Sequence, residues 1–282
     1  MMDDKASRDI ATRAAFRAGK LAAARAGNPG YLSWRGRRDV IVGAAVEVQD
    51  MLVSILHEEC PGDAIIGEEG PEDELVPADA ERLWIVDPIC GSLNFAMGIP
   101  FFAIALALRV NGNLRVGVVY DPMRDEMFSA QLGEPATLNN TPITVRAVSL
   151  GPEFWEQAWV GADLPHDGDV LDEALRVYTI TTRDVLHHVV LGSPALAICY
   201  VACGRLHAYW NLDARPWDVA AAGFILGRAG GLMSDADGGS WLHSTGTYVA
   251  AESVSHNWAL KTIKMVREQT KNRARKPEGI LG

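Results

Sequence analysis

The sequence predicts an α/β protein of stacked sheet and helix layers, and three observations carry that prediction. Strand and helix patterns recur in both halves of the chain. Its 282 residues are 48% hydrophobic and 22% charged, an ordinary globular balance. A chain this long buries most of its apolar surface, so packing alone can hold the fold without disulfide staples. The organisation expected is an N-terminal α+β half over 1–150, a C-terminal α/β half over 151–268, and a disordered, solvated tail over 269–282.

The elements follow in order. An Ala-rich helix covers 6–26 and is closed by Gly27-Asn28-Pro29-Gly30, a strong stop signal. A second helix covers 44–58 and ends before Pro61-Gly62. A short apolar strand at 64–67 runs into Glu68-Glu69, and a buried strand at 83–86 stops at Asp87-Pro88. Segments 101–109, 114–120 and 126–130 read as sheet, separated by turns at Asn111-Gly112-Asn113 and Asp121-Pro122. The second half offers strands at 158–161, 206–209, 231–234 and 248–251, with helices at 193–203, 217–229 and 254–268.

Charge and cysteine usage narrow the function. A formal net charge of -10 argues against a nucleic-acid backbone as the main partner. An acidic protein can still bind phosphate when cations sit between its carboxylates and the anion. Cys60, Cys90, Cys199 and Cys203 show no CxxC spacing and read as buried free thiols of a reducing cytoplasm. The N-terminus lacks the apolar core of a signal peptide, and the longest apolar run, 99–108, is too short to span a bilayer. Cytoplasmic localisation without membrane association is the expectation. His187-His188 reads as an exposed pair, and none of the seven histidines has metal-ligand spacing.

Three acids stand where apolar residues belong. Glu68 follows strand 64–67, Asp87 follows strand 83–86, and Asp218 opens helix 217–229. Strand ends and helix starts line the clefts in which α/β proteins place their sites. Converging carboxylates repel one another unless cations neutralise them, and hard oxygen donors suit Mg²⁺. Singly, each has a plainer reading: a helix cap for Asp218, a turn for Asp87-Pro88, a solvated loop acid for Glu68. Gly91-Ser92 adds a glycine before a short helix start, where backbone N–H groups can cradle a phosphate and the Ser92 hydroxyl can orient water. Ser92 serves equally well as a simple cap.

Together these residues resemble the inositol monophosphatase family, whose relatives also hydrolyse histidinol phosphate, fructose bisphosphate and phosphoadenosine phosphate. The family's W-x-[IV]-D-P-[ILV]-D-G-[TS]-x-N-[FY] signature is matched, except at Cys90, by the run from Trp84 to Phe95, and its W-D-x-A-[AG] by Trp217-Asp218-Val219-Ala220-Ala221. Ile66-Gly67-Glu68-Glu69 and Gly192-Ser193-Pro194-Ala195 match two further segments, so the likeness spans roughly residues 6–268. The resemblance implies a layered α-β-α-β-α sandwich, usually a homodimer, acting on a small phosphorylated metabolite. It implies a first Mg²⁺ on Glu68, Asp87 and the Ile89 carbonyl, and a second on Asp87, Asp218 and position 90. It further implies water oriented by Glu68 and Ser92, phosphate held by Gly91 and Ser92, and no covalent phosphoenzyme.

Three positions depart from the pattern. Cys90 replaces an aspartate ligand, Ala45 stands where the family has another acid, and Asn211 replaces a glutamate that contacts substrate hydroxyls in several members. A neutral thiol is a poor Mg²⁺ ligand, whereas a thiolate binds softer ions such as Zn²⁺, so Mn²⁺ and Zn²⁺ stay open beside Mg²⁺. Three expectations follow: a phosphatase with an altered metal site, a pseudo-phosphatase that binds without hydrolysing, or an enzyme that depends on the Cys90 thiol. Presence of Glu68, Asp87, Ser92 and Asp218 together favours the first.

Overall fold

The structure is a computed structural model that describes residues 2–34, 40–69, 80–148, 156–165, 168–243 and 246–274. Helix α1 (Asp4–Arg25) leads into a small hairpin, β1 (Leu32–Trp34) and β2 (Val40–Val42), and then α2 (Gly43–Glu59). β3 (Ala64–Gly67), β4 (Arg82–Cys90), the short α3 (Ser92–Ala96), β5 (Ala103–Val110), β6 (Asn113–Asp121), β7 (Glu126–Gln131), β8 (Thr137–Leu138) and β9 (Thr141–Pro142) follow. The strands form one seven-stranded sheet in sequence order, antiparallel except for the β3–β4 pair. The second half comprises β10 (Trp159–Asp163), α4 (Gly168–Asp184), β11 (His187–Val189), α5 (Pro194–Ala202), β12 (Ala208–Ala214), α6 (Pro216–Arg228), β13 (Leu232–Ser234), β14 (Gly246–Ala251) and α7 (Ser253–Ala274). Its five-stranded sheet runs β11-β10-β12-β14-β13.

Alternation along the strands builds the layers. In β4 and β5, Trp84, Val86, Ile104, Leu106 and Leu108 pack against α1 and α2. Leu83, Ile85, Ala103, Ala105 and Ala107 face α5 and α6, which in turn cover Tyr209, Tyr248 and Ala250 of the second sheet. Small side chains on that face let α6 approach closely; a Cβ at Gly117 would strike the Ala221 carbonyl. The far face of the second sheet, with Val160, Ala208 and Trp210, is covered by α4 and α7 through Val177, Ile263 and Val266. The result is the five-layer α-β-α-β-α sandwich. Among the described residues no helix is long and apolar enough to cross a membrane.

Three sequence expectations need correction. The strand expected to stop at Asp87 runs on to Cys90, because a bulge lets it pass Pro88: pairing shifts from Asp87 opposite Ala105 to Cys90 opposite Ala103. The tail expected from 269 stays helical to Ala274, since no Gly or Pro interrupts the chain there; 275–282 lie outside the described residues. Finally, His187 is exposed but His188 is buried, because strand alternation in β11 sends them to opposite faces. β1, β2, α4, β8, β9 and β11 had no counterpart in the sequence reading.

The His188 ring stacks on Tyr178 with centroids 4.0 Å apart, meets Trp210 edge-on, and its Nδ1 lies 3.2 Å from Thr181 Oγ1 and 3.0 Å from Thr182 Oγ1. Burial, and secondarily the neighbouring His187, lower its pKa from 6.5 to about 4. The unfolded chain therefore takes up a proton that the folded chain refuses. The His188 contribution to stability falls as pH drops from about 6.5 toward 4, by about 3 kcal/mol at most. Urea titrations of wild type and His188→Phe at pH 7 and pH 4.5 check this: the stability of the wild type relative to the variant should fall at the lower pH.

Candidate metal centre

The centre forms where the C-terminal ends of β3 and β4 meet the start of α6. Glu68 follows directly on β3, and its backbone N–H donates to the Val86 carbonyl at 3.2 Å, extending the β3–β4 ladder by one rung. Asp87 sits at the β4 bulge. Its Oδ1 accepts from the Ile89 N–H at 3.0 Å, while Oδ2 is buried with no hydrogen-bond partner. Asp218 is the third residue of α6, where its Oδ2 accepts from the Arg215 N–H at 2.7 Å. The plainer reading of Asp218 as a cap is thus realised, yet capping leaves a carboxylate with further acceptor capacity.

Cys90 completes the group. One ligand atom each from Asp87, Cys90 and Asp218 lies within 4.8 Å of the others. The sulfur accepts from the Ala195 N–H at 3.3 Å, and the Cys90 carbonyl accepts from Ser193 Oγ at 2.9 Å. Ala195 is in the first turn of α5, so the N-terminal end of that helix points at the thiol.

Electrostatically the acids oppose one another's ionisation. Burial first, then the Asp87 and Asp218 carboxylates, hold Glu68 well above the usual carboxylate range. Burial and the Asp218 carboxylate push Asp87 up to about 8. Burial, reinforced by Asp87 and Asp218, raises the Cys90 thiol well above its ordinary value. Buried acids that disfavour one another, with an orphaned carboxylate oxygen among them, fit a bound divalent cation. Asp87, Asp218 and Cys90, with Glu68 beside them, are the side chains that fit it.

Of the remaining candidates, Ala45 is buried in the first turn of α2, and no acid stands there. Gly91 carries the chain from β4 into α3 at φ +102°, and a Cβ would lie 3.0 Å from the Gly192 carbonyl. Gly91→Ala should therefore cost about 1–3 kcal/mol and displace Ser92, the half-buried first residue of α3. A thermal melt and an activity assay on the same sample check both. Ile89 is buried beside the bulge. Asn211 is buried in β12 and engaged internally: Nδ2 donates to the Tyr209 hydroxyl at 3.5 Å, and Oδ1 accepts from the Asp213 N–H at 2.8 Å.

Sequence reading missed the residues behind Cys90. Buried Asp163, at the end of β10, accepts from the Leu191 and Gly192 N–H groups at 3.0 and 2.8 Å and from the Tyr209 hydroxyl at 2.8 Å. From the other side Asn94 Nδ2 donates to the Leu191 carbonyl at 2.8 Å. The loop carrying Ser193 is thus pinned by β10 on one side and α3 on the other. An acid closing an apolar strand, the signal that singled out Glu68 and Asp87, also marks Asp163.

A five-layer sandwich with an acidic cluster at the strand ends defines the class: a layered α/β protein with a group of side chains that could hold a metal ion. The inositol monophosphatase family model matches residues 3–270. The chain belongs to the inositol monophosphatase family. It is 33% identical over 246 residues to Nus factor SuhB of Vibrio cholerae, covering 86% of this chain and 90% of that one. It is 31% identical over 262 residues to inositol-1-monophosphatase of Mesorhizobium japonicum, covering 91% and 95%. Among solved structures, the suhB protein of Bartonella henselae superposes with a TM-score of 0.84 at 27% identity, covering 91% of this chain and 97% of that one. The Thermotoga maritima IMPase gives 0.83 at 27% identity, covering 93% and 98%.

Proposed function

We propose that this protein hydrolyses a small phosphate monoester, such as a sugar, polyol, histidinol or nucleotide phosphate, with a metal-activated water. The observation that carries the reading is the buried, unpartnered Asp87 Oδ2 beside Asp218 and Cys90, in a family whose named members include an inositol-1-monophosphatase. Mg²⁺, when bound, acidifies water and screens phosphate charge. Glu68, Asp87 and the Ile89 carbonyl are proposed to hold the first ion, and Asp87 with Asp218 the second position. Glu68 and Ser92 orient the attacking water, and the Gly91 and Ser92 N–H groups hold the phosphate, while Asn211 lies on the substrate side. With no covalent intermediate, the chain's task is to position the ester and balance its charge.

The test is phosphate release from a panel of monoesters with Mg²⁺, Mn²⁺ or Zn²⁺ added separately. Absence of release from every ester with every ion would overturn the reading. A second reading, binding of a phosphorylated ligand without hydrolysis, is supported by Cys90 and by the Nus factor name that several relatives carry. It predicts saturable ligand binding in that same panel without turnover.

Cytoplasmic placement is part of the proposal and is supported by four unpaired cysteines. So is a homodimer, which family membership supports; light scattering should give about twice the chain's 30.5 kDa, and a value near 30.5 kDa rejects it.

A further inference from the structure

We propose that Cys90 makes the second cation position a site for a thiophilic divalent ion, with Zn²⁺ as its type, rather than for Mg²⁺. This rests on the cluster being a metal centre, but not on its turning over an ester.

Three observations converge. The potential ligand atoms of Asp87, Cys90 and Asp218 lie within 4.8 Å of one another, a set of two carboxylates and one sulfur. Asp87 Oδ2, buried in a residue only 1% exposed, has no hydrogen-bond partner and so keeps free ligand capacity at this position. The Cys90 sulfur already receives the Ala195 N–H at 3.3 Å, from the first turn of a nine-residue helix. An N–H donor at sulfur is what a metal-bound thiolate needs behind it, because the bond stabilises residual negative charge on sulfur.

Ion chemistry then decides. Mg²⁺ prefers an octahedral shell made entirely of oxygen, and this position puts a soft sulfur beside its two carboxylates. Zn²⁺ is satisfied by three protein ligands of mixed sulfur and oxygen type plus one open position for water or phosphate. Ligation exchanges the thiol proton for the metal, one proton passing to solvent per ion bound. The hard-oxygen position of Glu68, Asp87 and the Ile89 carbonyl remains for Mg²⁺, so two unlike ions would share Asp87.

Co²⁺ is the probe, added to the metal-free full-length protein while absorption is recorded. The expected result is a sulfur-to-cobalt charge-transfer band in the near ultraviolet that saturates at one ion. It should vanish in Cys90→Ser although Cys60, Cys199 and Cys203 remain. Zn²⁺ should displace the Co²⁺, and a large excess of Mg²⁺ should not. Loss of outer ligands alone typically costs ~10–100-fold in metal affinity, so removing the sulfur should weaken Zn²⁺ binding by at least about a hundredfold. In Cys90→Asp, Co²⁺ should bind without the band and Mg²⁺ should compete. Circular dichroism confirms folding, and Cys90→Ala replaces Cys90→Ser if the latter unfolds. A wild type that shows no band, or a band that survives loss of the thiol, overturns the inference. Phosphate release with Mg²⁺ and no band leaves the phosphatase reading standing alone; a band without release on any ester does the reverse.

Discussion

Replacing Asp87 or Asp218 by Asn should abolish metal-dependent phosphate release while the protein stays folded. An amide oxygen is a weaker donor, and each change removes one formal charge from the cluster proposed to hold a cation. The loss should be at least about a hundredfold, since even outer-shell changes at metal sites reach that range. The two variants should part company in stability. In the metal-free protein, Asp87→Asn removes a buried acid whose ionisation burial and Asp218 oppose, so its melting temperature should hold or rise. Asp218→Asn weakens the cap on the Arg215 N–H, with an expected cost of about 1 kcal/mol. Phosphate release within a few-fold of wild type in both would remove these residues from the metal centre.

The largest structural effect should come from Asp163→Leu. The substitution leaves the Leu191 and Gly192 N–H groups and the Tyr209 hydroxyl without their acceptor in a buried setting. At about 1–3 kcal/mol for each orphaned group, partly relieved by relaxation, the total should be about 3–5 kcal/mol. Asp163→Asn retains an acceptor oxygen for the loop and should cost clearly less. Chemical denaturation of both variants measures the difference. Equal losses would show that the carboxylate charge, not a neutral acceptor oxygen, is what the loop requires.

Much of the fold was legible because its strands are continuous apolar runs and its helices are punctuated by Gly and Pro. β3 matches its expected bounds, and the helices now designated α1, α2, α5 and α6 shift by one or two residues. α4 was passed over although Pro165, Asp167 and Gly168 mark its start, and β1, β2, β8, β9 and β11 are too short to show a period. Single residues at the centre could be picked out because an acid ending an apolar strand is anomalous locally. Their neighbours could not. The N–H that faces the Cys90 sulfur belongs to Ala195, 105 positions along the chain. Asp163 acts through Leu191 and Gly192, a contact that depends on tertiary packing.

The bulge in β4 bears on parity. In a regular strand, residues three apart point to opposite faces, so Asp87 and Cys90 would be divided between the two sides of the sheet. One inserted residue reverses the count: Leu83, Ile85 and Cys90 share one core, while Trp84, Val86 and Ile89 share the other. An odd-numbered spacing thereby becomes a convergent one, and the carboxylate and the sulfur come to the same side. The defect in the ladder is thus a condition for the cluster at this spacing: the same residues in a regular ladder, without the bulge, would carry the thiol to the face opposite Asp87.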